Sequence, residues 1–140
     1  MSALAWQALR LVLSSLALLP GRAMPYMLLI VEPSGQRESR GVDGGQVVYQ
    51  HMLDYTEALR GAGVLMASSS LASAAARLQH PQGTAAPRII DGPFAEAKEM
   101  IGGFFLLDCD TRDQALAWAA RCPAAEWAEV EVRETGPCYL

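Results

Sequence analysis

A histidine with a carboxylate one helical turn away is the pattern in this chain that points most directly to proton transfer. Asp54 follows His51 at i+3, so on a helix the carboxylate would hold the imidazole and favour its charged form, as a general acid–base needs. The same spacing also describes a helix-edge histidine in a surface ion pair. A second concentration of chemistry lies at Asp91, immediately before Gly92-Pro93. A carboxylate there either accepts N–H groups to build the turn, or presents its charge where a strand ends. Glu96, Lys98 and Glu99 follow closely. Solvated, they are ordinary surface. Folded over a cavity mouth, they would bind a ligand, with Lys98 holding an anionic substrate and Glu96 acting as a base. Lys98 is the single lysine beside ten arginines, which marks it as a compact point charge.

Other chemistries have little support. Cys109, Cys122 and Cys138 form no CxxC and no Cys/His cluster, so no metal site is expected. Asp108 and Asp110 flank Cys109 and would raise its thiol pKa, making it a poor nucleophile. His80 precedes Pro81 in a turn and reads as solvated. There is no GxGxxG, P-loop or nucleophile elbow, so no cofactor is expected. Net charge is −4 with basic residues scattered, which argues against nucleic acid as a partner.

The chain has 140 residues, 51% of them hydrophobic and 19% charged, enough for one domain with its own core. Residues 1–23 differ from the rest: they hold no acid, two arginines and an apolar stretch at 11–19. That stretch is shorter than the ~20 residues a bilayer span needs, so no membrane role is expected. It is also poor as a signal peptide, since no basic residue precedes Arg10. A translation start at Met24, or a dispensable tail, is the favoured explanation over export. The working domain is then 24–140, in a reducing, cytoplasmic setting.

The elements that must position these residues follow from periodicity. Residues 26–31 are an apolar run, read as a buried strand, and Gly-rich 36–45 reads as a loop. Asp43 with Gln46 resembles a capping box opening a helix whose stripe is Val48, Met52, Tyr55 and Leu59, with Gly61 and Gly63 as the stop. A strand at 64–67 comes next. Residues 74–79 and 87–91, around His80-Pro81-Gln82-Gly83, read as a protruding hairpin. Residues 101–107 form a strand apolar on both faces. Thr111 and Gln114 cap a second helix with Ala115, Trp118, Ala119 and Cys122 on its buried side, ended by Pro123. Residues 127–133 alternate strictly, with Glu129, Glu131 and Arg133 on one face, expected to form an ion-pair network at an interface.

The order is βαββαβ, an α+β ferredoxin-like fold with an inserted hairpin, both helices covering one sheet face. Two strands apolar on both sides leave the second face needing a cover. A homodimer packed sheet to sheet supplies it.

The segment Asp91-Gly92-Pro93-Phe94-Ala95-Glu96-Ala97-Lys98-Glu99, followed by Gly102-Gly103-Phe104-Phe105, resembles the DGPF branch of the YCII-related family. The opening at 24–29, the helix end Thr56-Glu57-Ala58-Leu59, the second helix at 115–123 and Val130-Glu131-Val132-Arg133 agree with it. The resemblance implies a dimeric α+β barrel. It also implies a His–Asp pair as in YCII-like proteins thought to be enzymes, carried here by His51 and Asp91. One such relative is a dehydrochlorinase acting on a chlorinated hydroxyquinol. The expectation is a small cofactor-free enzyme performing acid–base chemistry on a small aromatic or anionic molecule. The alternative is a non-catalytic ligand-binding or regulatory dimer, associated with an extracytoplasmic-function sigma factor as some DGPF proteins are. An enclosed cavity containing His51 or Asp91 favours the first, a filled barrel the second.

Overall fold

Alternation in the first strand decides which way the sheet faces. In the computed structural model, which describes residues 24–83 and 85–139, β1 (Tyr26–Pro33) buries Tyr26, Leu28, Ile30 and Glu32 on one side. Met27, Leu29 and Val31 point the other way, as the period of two requires. The expectations about residues 1–23 lie outside the described residues. The remaining elements are α1 (Gln36–Gly61), β2 (Leu65–Ser70), β3 (Ala76–Gln79), β4 (Arg88–Asp91), β5 (Glu99–Leu107), α2 (Arg112–Ala120), a 3-10 turn (Pro123–Glu126) and β6 (Glu129–Glu134). The main sheet is antiparallel in the order β2-β5-β1-β6, and β3 with β4 forms a separate hairpin. This is the ferredoxin-like arrangement expected from the sequence, hairpin included.

Both helices cover the Leu28 face. Tyr55 and Leu59 of α1 and Ala115 and Ala119 of α2 join Leu28, Ile30, Phe105 and Leu107 in one core. Leu28, Leu59 and Leu107 are fully buried, each contributing about 1.5–3 kcal/mol relative to exposure. Tyr55 meets Phe105 edge-on, centroids 5.2 Å apart, and its hydroxyl donates to the Trp118 carbonyl at 2.7 Å. Thr111 and Gln114 form the expected reciprocal cap on α2.

On the opposite face, β5 pairs Phe104 with Leu29 and Leu106 with Met27, and β6 places Glu131 beside Leu29 and Arg133 beside Met27. Ile101 is 41% exposed there, and none of these apolar residues belongs to the core beneath the helices. Arg133 pairs with Glu131 along the strand, Nε to Oε1 3.0 Å.

Four expectations need correction. Residues 36–45 are not a loop: α1 starts at Gln36, and only Gly41 (φ 73°, ψ 176°) leaves helical geometry. Long-range bonds from Gln36 and Arg37 hold this first turn, overriding a glycine-rich local sequence. Asp43 and Gln46 therefore fall inside α1 rather than capping its start. Two strand ends also differ. β2 continues through Ser68, Ser69 and Ser70, paired to β5, and Trp127 precedes β6 after the 3-10 turn.

Candidate functional site

A cavity of about 1090 Å³ opens between α1 and the sheet. Ile30 and Glu32 of β1 with Gly102, Gly103 and Phe105 of β5 line its sheet side, and Ser68 and Ser70 of the β2 edge flank it. On the helix side are residues from Arg37 to Arg60, including Tyr49, Met52 and Leu53, and Trp127 also contributes.

Glu32 gives this cavity its chemistry. It continues the inward-facing series of Leu28 and Ile30 and is 2% exposed, so its charge needs a partner. Arg37, in the first turn of α1, supplies it: Nε donates to Glu32 Oε1 at 2.5 Å. The same guanidinium donates to the Leu71 carbonyl at 2.7 Å and the Gly102 carbonyl at 3.2 Å. One side chain thus ties α1 to β1, to β5 and to the segment after β2. Glycine at 102 is what makes room. A Cβ there would come within 2.7 Å of Glu32 Cδ and 2.9 Å of Arg37 Nη2, so any side chain displaces the pair. At the same end, Gln36 donates to the Trp127 carbonyl at 2.7 Å, and the Arg40 guanidinium lies 4.7 Å from the Trp127 ring centroid. Arg60 is ion-paired with Glu57 on its own helix.

The residues singled out from the sequence lie elsewhere. His51 is exposed on α1 and is not among the residues lining the cavity, and Asp54 accepts from Gln50 at 2.9 Å. Asp91 is exposed and ends β4 opposite Ala76. Among the described residues, His51 and Asp91 share no hydrogen bond or ion pair. Glu96, Lys98 and Glu99 are exposed and outside the cavity lining. The DGPF segment forms a clasp on the hairpin. Gly92 N–H donates to the Ala75 carbonyl at 2.6 Å, the Gly92–Pro93 peptide is cis, and the Arg77 guanidinium lies 3.6 Å from the Phe94 centroid. Glu96 sits 3.7 Å from Arg77, and the Lys98 carbonyl accepts from Ser34 N–H at 2.9 Å.

Glu32, Arg37, Arg40 and Trp127 were missed from the sequence. The available signal was a glutamate in phase with buried Leu28 and Ile30, facing a strand that carries two adjacent glycines.

Three further ionisable groups are buried, and each is poorly suited to proton transfer. Burial pushes the Tyr55 phenol far above its usual range. Burial also raises the Cys109 thiol, with Asp108 and Asp110 adding to the effect, and raises Cys122. Among the described residues, no three His, Cys, Asp or Glu gather as a metal site would need, and no helix is long and apolar enough to cross a membrane.

A stretch of 47 residues is 49% identical to an uncharacterized protein of Rhizobium meliloti (strain 1021), covering 34% of this chain and 36% of that protein. The chain thus aligns with about a third of that relative's length. The YCII-related domain matches residues 24–136, from just before β1 to just after β6, taking in the whole sheet, both helices and the cavity between them. On that extent of match, the chain belongs to the YCII-related family.

Proposed function

We propose that this protein binds a small organic molecule between α1 and the sheet and performs cofactor-free acid–base chemistry on it, with Glu32 moving the proton. The observation that carries this reading is a carboxylate 2% exposed on the wall of a cavity of about 1090 Å³. A carboxylate on a cavity wall is a candidate general base, kept ionised by the cation beside it and ready to accept a proton. Arg37 is then the positioning residue. The pairing of His51 with Asp91, and ligand binding by Glu96, Lys98 and Glu99, is a rival location for the site. It has less geometric support, because none of those side chains lines the cavity between α1 and the sheet.

A non-catalytic binder is the second reading, favoured by one feature: Glu32 Oε1 is already bound to Arg37, which a purely structural ion pair would also explain. Both readings include a homodimer, supported by the apolar outer face of β1 and β5. A thermal-shift screen of small aromatic and anionic metabolites on the full chain tests the site. Binders are then incubated with protein and followed for turnover by mass spectrometry. The enzyme reading expects product with the native chain, and binding without product for Glu32→Gln. Binding with no turnover selects the binder. Binders whose stabilisation survives Phe105→Trp, which crowds the cavity, would move the site elsewhere.

A further inference from the structure

The charges around the cavity are unequally committed, and that inequality describes the ligand. Three arginines line it: Arg37, Arg40 and Arg60. Arg37 spends its donors on Glu32 and two carbonyls, and Arg60 is paired with Glu57. Arg40 forms no ion pair among the described residues, and its guanidinium rests on the Trp127 ring. Stacking on an indole holds a guanidinium in place without neutralising it, and leaves its in-plane N–H donors free.

The acids at the cavity do not cancel this charge. Glu32 is bound by Arg37. Glu38 is exposed and two residues from Arg40 on the same helical turn, a spacing at which side chains do not face each other. Glu32, Arg37, Glu38 and Arg40 all come from the end of β1 and the first turn of α1, so four of the five charged lining groups gather at one end, and the fifth, Arg60, is neutralised by Glu57. Between Gly41 and Thr56 the helix lining is mainly apolar, with Val48, Tyr49, Met52 and Leu53, and Phe105 faces them from the sheet, while Ser68, Ser69 and Ser70 flank the β2 edge. Tyr49 and Leu53 are 53% and 40% exposed, large apolar side chains left without a full covering. From residue 45 to 56 this wall runs roughly 16 Å at ~1.5 Å per residue.

We propose that the cavity takes an elongated apolar molecule ending in one carboxylate, the carboxylate on Arg40 and the body along Val48, Met52, Leu53 and Phe105. The inference rests on the cavity being the functional site and adds the ligand class. The match is of kind and of place: one uncommitted cation at the polar end, and an unfilled apolar trough leading away from it. A charge-assisted bond to a guanidinium in a partly desolvated site discriminates an acid from its neutral isostere.

The test uses three probes that share one butylphenyl body and differ in head-group charge, 4-butylbenzoate, 4-butylbenzyl alcohol and 4-butylbenzylamine, titrated calorimetrically into the full chain. The native protein should bind the benzoate at least tenfold more tightly than the alcohol, and the amine more weakly than either. Arg40→Met should bring the benzoate to the alcohol's affinity while leaving the alcohol unchanged. Leu53→Asp should weaken the benzoate and the alcohol alike, which locates them in the trough. Thermal unfolding of each variant checks that the fold is retained. Equal affinity for acid and alcohol in the native chain, or a preference that survives Arg40→Met, overturns the ligand class while the site stands. Failure of all three probes to bind, or binding indifferent to Leu53→Asp, removes both the ligand class and the site.

Discussion

The Glu32–Arg37 pair can be dissected by a double-mutant cycle, because its two members are buried to different degrees. The Glu32 side chain is 3% exposed and that of Arg37 30%. Arg37→Met leaves the carboxylate buried with its cation gone. Losing one partner of a buried pair costs about 3–5 kcal/mol. Water can approach from Arg37's exposed side, so the lower end, about 3 kcal/mol, is expected. Glu32→Gln keeps the shape and an oxygen that still accepts from Arg37 Nε, and the guanidinium left behind has water, so about 1–2 kcal/mol is expected. In the double variant no buried charge remains. Its cost should fall to about 2 kcal/mol, the loss of the Arg37 bonds to the Leu71 and Gly102 carbonyls remaining, giving a coupling of about 2–3 kcal/mol. Urea unfolding followed by circular dichroism supplies all four stabilities. An Arg37→Met cost below about 1 kcal/mol together with an additive cycle would refute the argument, since exposed pairs behave that way.

Three more outcomes follow from features already described. Tyr55, Cys109 and Cys122 all titrate above their ordinary values in the folded state, so the native chain holds protons that the unfolded chain releases. Stability should therefore be level below the unfolded thiol value of 9.0 and fall as pH rises past it. The fall steepens beyond the phenol's 10.0, and Tyr55→Phe should flatten that last part in urea titrations run at successive pH values. In the hairpin clasp, Asp91→Asn should cost at most about 1 kcal/mol, whereas Gly92→Val should cost considerably more. The reason is that a Cβ at 92 would lie 2.9 Å from the Phe94 ring, and thermal unfolding of the two variants ranks them. Light scattering at micromolar concentration should give twice the chain mass for the native protein and a shift toward the monomer for Leu29→Arg, which sets a charge in the outer apolar face. A native chain already monomeric would remove the reason to pair the sheets.

Local patterns made the frame legible. β1, β5 and β6 showed in their apolar runs and alternation, and α2 in a cap whose two members are three residues apart. The first turn of α1 was hidden because its stability comes from Arg37 reaching Leu71 and Gly102 and from Gln36 reaching Trp127, contacts that no window of neighbouring residues contains. The cavity was obscured for a related reason. Histidine, a lone lysine and the Asp-Gly-Pro-Phe run drew attention because they are rare, yet Phe94 and Glu96 meet Arg77 in a hairpin clasp. The cavity is instead defined by a common glutamate, common arginines and two glycines whose importance is the space they leave. Volume of that kind is a property of tertiary packing, and side-chain identity records it only indirectly.

The break at Gly41 divides the cavity wall into two mechanical parts. The turn before it is fastened to the sheet by Arg37 and to the Trp127 carbonyl by Gln36, so Arg40 keeps a fixed station. The long segment after it carries the apolar wall and joins that turn through one residue at φ 73°, where glycine has no steric penalty. Stringency and tolerance are thereby assigned to different stretches of one helix. Substitutions among Val48, Tyr49, Met52 and Leu53 can remould the trough for longer, shorter or bulkier ligand bodies without disturbing the end that reads the charge. Across relatives built on this plan, ligand bodies should diversify faster than the group at their head.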